Sequence, residues 1–400
     1  MANVKFSAHH YLLMILFAGL GTAGVWWMFH DGATWTDFPT QWRICVYTLR
    51  GMDIYSFRGT ADYLPEIGAI SEGFHASPFG LVLENLFYGG FLPFNAAKIY
   101  FIALNIAVIV IASCLLYQKT AKLSQELGIM SFLVSLTSVN FFISTHEGNA
   151  GGMICAFLVI AWLILEEHPY TSGILIGFAM VKPQDAAIVC IALLLMKKVL
   201  SVVVAAVIDV AAWLVSSLLL KRGMLELLQE FLFAPNALPV GSSEARPFAG
   251  IFSLVSDNFL YATAASMVFG IIFLFWVYRS LPAEMPGIFK IYPAFMAVTF
   301  WCYSWALDSY VLIVPACLCL WLMFRSSSRR EFWGWMLWGL FCVSGAFFRS
   351  AVCRVLMRAY ADIGYYKAYD IARTLNEVGI IILGIVICVE LRRIYREASS

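Results

Sequence analysis

Apolar runs long enough to cross a lipid bilayer recur along almost the whole chain, and they limit its fold more than any other feature. A helix needs about 20 apolar residues to span the hydrocarbon layer. Apolar residues make up 62% of the chain and charged residues only 13%, which is far less charge than soluble domains carry. The sequence therefore predicts an all-α polytopic membrane protein that forms a single integral membrane domain over residues 1–400. The predicted spans lie near 11–29, 96–117, 128–144, 150–165, 172–182, 184–196, 199–220, 258–278, 288–306, 309–324, 332–349 and 377–391.

One apolar stretch, residues 76–93, is interrupted by Glu84, Asn85 and a Gly-Gly pair. Broken backbone of this kind is tolerated at membrane depth only against protein or water. We interpret the stretch as a re-entrant helix, which leaves about twelve crossings. It closes a first outer loop over residues 30–95 that also contains interfacial helices.

The distribution of Lys and Arg predicts the orientation in the membrane. If both termini lie on the same side of the membrane, all the short basic loops lie on that side too. Loops of this kind are typically cytoplasmic. They contain Lys119 and Lys122, Lys197 and Lys198, Arg279, Arg325 with Arg329 and Arg330, and Arg392, Arg393 and Arg396. The long polar segments 30–75, 221–257 and 350–376 then face outward. We expect a multi-pass protein of the plasma (inner) membrane with both termini in the cytoplasm.

Several classes of partner and site are disfavoured. The net charge is +1 and there is no long Lys/Arg run, so a nucleic-acid partner is not expected. The ten cysteines show no CxxC pair and lie mostly in apolar runs, where they act as small hydrophobes. No metal or other cofactor is required, although Asp37 with Glu147 or Asp308 could hold a divalent ion. No small-residue cleavage site precedes Trp26, so we expect the first helix to be retained.

The first outer loop concentrates charge at the membrane edge, beginning at Asp37. Helical periodicity over residues 37–50 separates aromatic, cationic and polar sectors, as in a helix lying in the membrane interface. Asp37 has two compatible interpretations. It is a helix N-cap, since Pro39 follows at a first-turn position, or it is a catalytic base.

Other polar residues converge on the same face by topology. Lys182 ends a short span before Pro183 and either binds an anion or only extends toward water. The histidines His75 and His146 are more often structural than catalytic. Asp209 is the acid closest to the centre of a span and is the feature on which a transporter interpretation depends. The remaining outer-face candidates are Glu147, Asn149, Arg246, Asp308 and Tyr310.

These residues occur in an order that resembles the GT-C superfamily of glycosyltransferases, and specifically family 87. Asp37-Phe38 is followed fourteen residues on by the segment 51–55, Gly-Met-Asp-Ile-Tyr, where the family tends to have Gly-x-Asp-Pro-Tyr. Segments 74–78 and 148–149 match more loosely. Residues 177–183 resemble a Gly-Leu-x-x-x-Lys-Pro element. Segment 304–310 resembles a Ser-Trp…His-Tyr element, with Asp308 where a histidine is usual.

The resemblance implies a GT-C-like bundle and a sugar donor carried on polyprenyl phosphate, with mannose as one candidate sugar. In this interpretation Asp37 activates an acceptor hydroxyl, and the anomeric configuration inverts. The donor phosphate is bound by Lys182, Arg246 and Arg50. The acceptor is a glycan or glycolipid at the outer face of the bilayer. Candidate sugar or acceptor contacts are Tyr55, His75, His146, Glu147, Asn149, Asp308 and Tyr310.

Two other classes remain open from the sequence. A transporter or lipid or sugar flippase would need related halves and functional polar groups at mid-membrane, and we find Asp209 but no internal repeat. A non-catalytic assembly subunit would tolerate replacement of Asp37. A nucleotide-sugar enzyme is disfavoured because the chain has no Gly-rich phosphate loop.

Overall fold

The computed structural model describes residues 37–55, 77–233, 259–301, 306–360 and 364–399, together with Gly19 and Phe252. Within these ranges every regular secondary-structure element is a helix, which confirms the predicted all-α class. The α-helices are α1 (Phe38–Leu49), α2 (Glu84–Tyr88), α3 (Phe94–Thr120), α4 (Gln125–Leu136), α5 (Val139–Glu147), α6 (Gly151–Ile164), α7 (Pro169–Ala179), α8 (Pro183–Leu195), α9 (Val199–Leu220), α10 (Met224–Phe233), α11 (Phe259–Ser280), α12 (Tyr292–Ala297), α13 (Ile313–Arg325), α14 (Arg329–Val343), α15 (Gly345–Ala359) and α16 (Tyr365–Ser399). Short 3-10 helices cover Gly287–Phe289 and Ala306–Leu312.

Five helical segments of the described chain are long and apolar enough to cross a membrane, and a sixth is added if α14 and α15 count as one broken span. The five are Phe94–Thr120, Gln125–Glu147, Val199–Leu220, Tyr261–Ser280 and Lys367–Glu397. Several predicted spans appear as shorter apolar helices, among them Gly151–Ile164 and Pro183–Leu195. The chain is a multi-pass membrane protein, but the predicted number of twelve crossings is not confirmed.

Two predicted spans differ from the observed helices for local reasons. Within 288–306, the described backbone holds a 3-10 turn and the six-residue α12 in place of one long helix. Pro286 and Pro293 account for the break, because proline fits only the first turn of a helix. The predicted span 332–349 is interrupted at Ser344, where the chain bends by 85° between α14 and α15.

The chain divides into two compact units. The first unit contains the described residues within 34–108 and 145–248, and the second contains those within 1–33, 109–144 and 249–400. In the first unit, α7 packs closely on α9. Gly173 and Gly177 make this approach possible, since an added Cβ would lie 2.6 Å from Val204 Cβ and 2.7 Å from Ile208 Cβ respectively. Small residues commonly permit such close helix packing in membranes.

The second unit has α13 at its core, with every residue from Ile313 to Met323 buried. A hydrogen-bonded series of hydroxyls runs beside it. The Ser113 hydroxyl donates to Ser135 Oγ at 2.9 Å, and Ser135 Oγ shares a hydrogen bond with the Tyr310 hydroxyl at 2.7 Å. Such pairing satisfies hydroxyl groups that would otherwise be buried without partners.

The predicted helix over residues 37–50 is present as α1, but protein covers most of its surface. Phe38 and Tyr47 are fully buried, and the Trp42 indole donates to the Leu92 carbonyl at 3.2 Å. Phe38 packs edge-on against Phe101, with ring centroids 5.3 Å apart. The aromatic side chains of α1 thus pack within the first unit, where the sequence had predicted contact with lipid. Helical periodicity alone cannot tell these two apolar environments apart.

Candidate functional site

Asp37 and Asn149 form the central contact of the candidate site in the first unit. The Asn149 side-chain amide donates to Asp37 Oδ2 at 2.8 Å. The carbonyl oxygen of the same amide accepts the Gly151 backbone N–H, also at 2.8 Å. Because Oδ1 is engaged with that N–H, the amide nitrogen is oriented toward the carboxylate. Two residues separated by 112 positions are therefore held as an oriented donor–carboxylate pair.

The turn that carries Asn149 packs directly onto the start of α1. The Asp37 N–H donates to the Glu147 carbonyl at 3.1 Å. Gly148 has φ +71°, and an added Cβ would lie 2.5 Å from Phe38 Cβ. Only glycine adopts this backbone readily and fits this space. Gly148 thus allows the approach that brings Asn149 to Asp37.

The N-cap interpretation of Asp37 is only half right. Asp37 does occupy the N-cap position of α1, and Pro39 lies in the first turn. Its side chain makes no capping hydrogen bond. The carboxylate instead accepts the Asn149 amide, so it belongs to the contact with the Glu147–Gly151 turn.

Lys182 lies at the N-cap position of α8, next to Pro183. It is half-buried, and the partial positive charge of a helix N-terminus adds to its own. The turn before α2 packs on Val181, the residue that precedes Lys182, since a Cβ added to Gly80 would lie 2.4 Å from Val181 Cα. The first unit therefore has a cationic side chain at a helix start, where anions are commonly bound.

Glu84 is a second acid of this region, and it lies in α2, outside the candidate membrane spans. Its side chain is buried, with 4% exposure. Burial raises the pKa of Glu84 to about 8, while the positive charge of Lys182 acts in the opposite direction. Glu84 is therefore mostly protonated at neutral pH, and it ionises as the pH rises through 8.

Tyr88 contacts the turn that carries Asn149. Its hydroxyl accepts the Ala150 N–H at 2.8 Å. Burial raises the pKa of Tyr88 well above its ordinary value, and the charges of Glu84 and Asp37 raise it further. The hydroxyl stays neutral and within electrostatic range of both carboxyl groups.

Two predicted contacts at the C-terminal end of α1 lie away from Asp37. Arg50 is exposed and caps α1, and thirteen residues of helix place it about 20 Å along the axis from Asp37. Tyr55 is 6% exposed and packs in an apolar cluster with Tyr47 and Leu81. The predicted roles, phosphate binding by Arg50 and sugar or acceptor binding by Tyr55, stay predictions. The distance of both residues from Asp37 does not favour these roles.

The Gly-Met-Asp-Ile-Tyr segment is instead tied to the turn between α9 and α10. Asp53 Oδ1 accepts the Tyr55 N–H at 3.0 Å, and Asp53 Oδ2 lies 3.2 Å from Arg222 Nη1. Arg222 also pairs with Glu226 at 2.6 Å and with Glu230 at 3.3 Å. These contacts position the segment and engage Arg222 with acids of the protein.

The remaining predicted residues are distributed as follows. His146 is buried at the end of α5, with Nδ1 3.8 Å from Glu147 Oε1, and Glu147 precedes the turn that carries Asn149. Tyr310 is fully buried in the second unit, where its hydroxyl contacts Ser135. Asp308 lies in the 3-10 helix Ala306–Leu312, and its side chain is outside the description. His75 and Arg246 lie outside the described residues.

Among the described residues, no group of three or more His, Cys, Asp or Glu side chains is arranged to hold a metal ion. The sequence analysis also missed Glu84 and Tyr88 as site residues. Glu84 had been used only as a sign of a broken span. An acid in an apolar stretch is, however, a signal of function in its own right.

A protein-family model matches the central part of the chain. The model of "Glycosyltransferase family 87" matches residues 74–290, just over half of the chain. The matched range includes Glu84, Tyr88, Asn149 and Lys182, while Asp37 precedes it. Searches of curated proteins and of solved structures gave no match.

Proposed function

The chain belongs to glycosyltransferase family 87, and from this premise we propose that it transfers a sugar from a polyprenyl-phosphate donor to an acceptor hydroxyl, with inversion at the anomeric carbon. Membership of the family and the apolar helices make it a membrane glycosyltransferase. The donor, the acceptor and the stereochemistry are the proposal. Mannose is our first candidate sugar, and a glycan or glycolipid is the candidate acceptor.

The observation that carries the proposal is the contact between Asp37 and Asn149. A general base must be held in a fixed orientation within reach of the hydroxyl proton. Asn149 donates to one carboxylate oxygen, Oδ2, at 2.8 Å, and is itself fixed by the Gly151 N–H. This arrangement restrains the Asp37 carboxylate while it accepts a proton.

In the proposed reaction the acceptor oxygen attacks the anomeric carbon as its proton passes to Asp37. The bond from the anomeric carbon to the phosphate oxygen breaks, and polyprenyl phosphate leaves. One displacement of this kind inverts the configuration. Base assistance of this type typically accelerates a reaction about 10²- to 10⁴-fold.

Lys182 supports the departure of the phosphate in this proposal. Negative charge develops on the phosphate oxygen as the glycosidic bond breaks, and a nearby cation stabilises that charge. Lys182 is the N-cap residue of α8, so the partial positive charge of a helix N-terminus lies next to it. Arg246, which lies outside the described residues, remains a further candidate for the same phosphate, whereas the position of Arg50 at the far end of α1 from Asp37 does not favour it.

The test uses the purified full-length chain in detergent, radiolabelled polyprenyl-phosphate sugars and a panel of glycan and glycolipid acceptors. We expect sugar transfer by the wild-type chain. Asp37→Asn should lower kcat about 100- to 10,000-fold with little change in melting temperature, because the substitution is nearly isosteric.

Glu166→Gln is the matched control, since Glu166 has a 71% exposed side chain that pairs with Lys198. This variant should retain wild-type turnover. Full activity of Asp37→Asn would contradict the role of Asp37. Transport of a lipid-linked sugar across vesicles without any transfer would support the transporter alternative, for which Asp209 in α9 is the candidate residue.

A further inference from the structure

Arg349 is a buried cation in the second unit that the proposed transfer reaction does not use. It lies on α15, and its side chain is only 1% exposed. Its Nε, Nη1 and Nη2 atoms are all buried and have no hydrogen-bond partner within the described ranges. Guanidinium is charged at every physiological pH, and burying an unpaired charge is costly. Such a site favours an anion that can supply the missing hydrogen bonds.

The neighbouring acids on α16 are engaged with a second arginine. Arg373 and Glu377 are each 1% exposed, and Arg373 Nε lies 3.4 Å from Glu377 Oε1. Arg373 Nη2 is also 3.9 Å from Asp370 Oδ1. The positive charges of Arg373 and Arg349 both act on the Glu377 carboxyl group. The cluster thus contains two cations and two acids, and Arg349 is the cation whose three guanidinium nitrogens all lack a hydrogen bond among the described residues.

The packing of α15 on α16 places Arg349 next to the charged residues of α16. Gly345 lies against α16, since an added Cβ would be 3.1 Å from Asn376 Oδ1, and Cys353 packs on Ala368 and Ala372. The opposite side of α15 exposes Phe347 and Val355. A helix with exposed apolar residues that meets the preceding apolar helix, α14, at a bend of 85° is typical of an interfacial element.

The charged residues of α16 also mark the end of its apolar stretch. The uncharged run 378–389 follows Glu377 directly, within the candidate span Lys367–Glu397. Arg373 lies six residues after Lys367, which is about 9 Å along the helix. Arg373 therefore lies at one end of the apolar stretch, and lipid phosphates lie just outside the hydrocarbon layer that such a stretch crosses.

We propose that Arg349, with Arg373 beside it, binds a phosphate group, and that membrane lipid supplies that phosphate. The planar guanidinium group matches two phosphate oxygens through parallel N–H donors. Because Arg349 is enclosed in this structure, the lipid headgroup enters when α15 moves away from α16. The bound phosphate then supplies the hydrogen bonds that the Arg349 guanidinium lacks.

The experiment measures the melting temperature of the purified full-length chain in detergent, with Lys182→Gln as the background so that the proposed donor site contributes less. Three additives are titrated: dihexanoyl phosphatidic acid, dihexanoyl glycerol, which lacks phosphate, and sodium phosphate. We expect a saturable rise in melting temperature with phosphatidic acid, none with the glycerol lipid, and a weaker response to sodium phosphate. Arg349→Gln should weaken the apparent affinity for phosphatidic acid at least tenfold.

Arg354→Gln is the matched control, because Arg354 is exposed on the same helix. It should leave the apparent affinity unchanged. Equal affinities for the Arg349→Gln and Arg354→Gln proteins, or no saturable response in the Lys182→Gln background, would overturn the proposal. An equal, Arg349-dependent response to sodium phosphate would confirm the phosphate site and overturn the lipid as its source.

If Arg349→Gln does not fold, Arg349→Lys replaces it. This variant keeps a cation but loses the bidentate donor pair, so binding of phosphatidic acid should weaken without disappearing. Unchanged binding by the folded Arg349→Lys protein would overturn the bidentate contact. A purely structural role for Arg349 would alter the melting temperature equally with and without additive.

Discussion

At the scale of single residues, the contact between Asp37 and Asn149 is the strongest feature of the candidate site. The sequence analysis selected both residues, but for separate reasons. Asp37 stood at a helix start near the membrane, while Asn149 was a candidate sugar contact. Their pairing across 112 positions depends on Gly148, whose missing side chain lets the turn approach Phe38.

Asn149 is expected to orient the base. Asn149→Ala removes a hydrogen bond to a charged group, which is typically worth about 1.5–3 kcal/mol. We expect kcat for sugar transfer to fall about 10- to 100-fold, with a smaller change in KM. Asn95→Ala, at an exposed position of the same unit, is the control and should keep wild-type kinetics. Similar kinetics for both variants would show that Asn149 does not orient Asp37.

Glu84 is expected to set an alkaline limit on activity. Its pKa is raised to about 8 by burial, so the group is neutral below pH 8 and becomes negative above it. A new negative charge beside Lys182 weakens the attraction for phosphate. The profile of kcat/KM against pH should therefore fall above about pH 8 in the wild type, and Glu84→Gln should remove this fall. An identical alkaline limb in the variant would exclude Glu84 as its cause.

At the scale of elements, the sequence predicted a helix well where its apolar pattern was compatible with only one environment. The predicted span 199–220 is the helix Val199–Leu220, because a long, mostly apolar run that crosses a membrane must satisfy its backbone hydrogen bonds within itself. The helix over 37–50 was also predicted, but its aromatic face packs on protein. The span expected at 288–306 is divided because proline interrupts the helix.

The Arg222 network is expected to hold the segment 51–55 against the α9–α10 turn. Arg222 has a 16% exposed side chain, and its acidic partners are 25–54% exposed. Partly exposed ion pairs contribute about 1 kcal/mol or less each. Arg222→Gln should lower the melting temperature by a few degrees, and added salt should reduce the difference. Lys122→Gln, at an exposed position, is the control, and a salt-independent loss would argue against an electrostatic role.

At the scale of the whole molecule, the orientation in the bilayer remains a prediction from the basic loops. Truncations fused to alkaline phosphatase, which is active only outside the cytoplasm, test it. We expect activity for a fusion after Glu230, in the predicted outer segment 221–257. A fusion after Ser328, in the basic loop between α13 and α14, should be inactive. The reverse pattern would invert the proposed topology and place the active site in the cytoplasm.

The sequence by itself determined the class of the protein, because bilayer thickness and the cost of charge in hydrocarbon act on composition and run length. It also indicated the family, through short motifs kept in order. Only the tertiary structure decided which polar groups meet. Asn149 reaches Asp37, Glu84 lies within range of the Lys182 charge, Arg222 pairs with Asp53, and Arg349 is enclosed beside Arg373. These contacts join residues that are far apart in the chain. They depend on how the helices pack and on close backbone approach at particular glycines, and local sequence patterns do not show either.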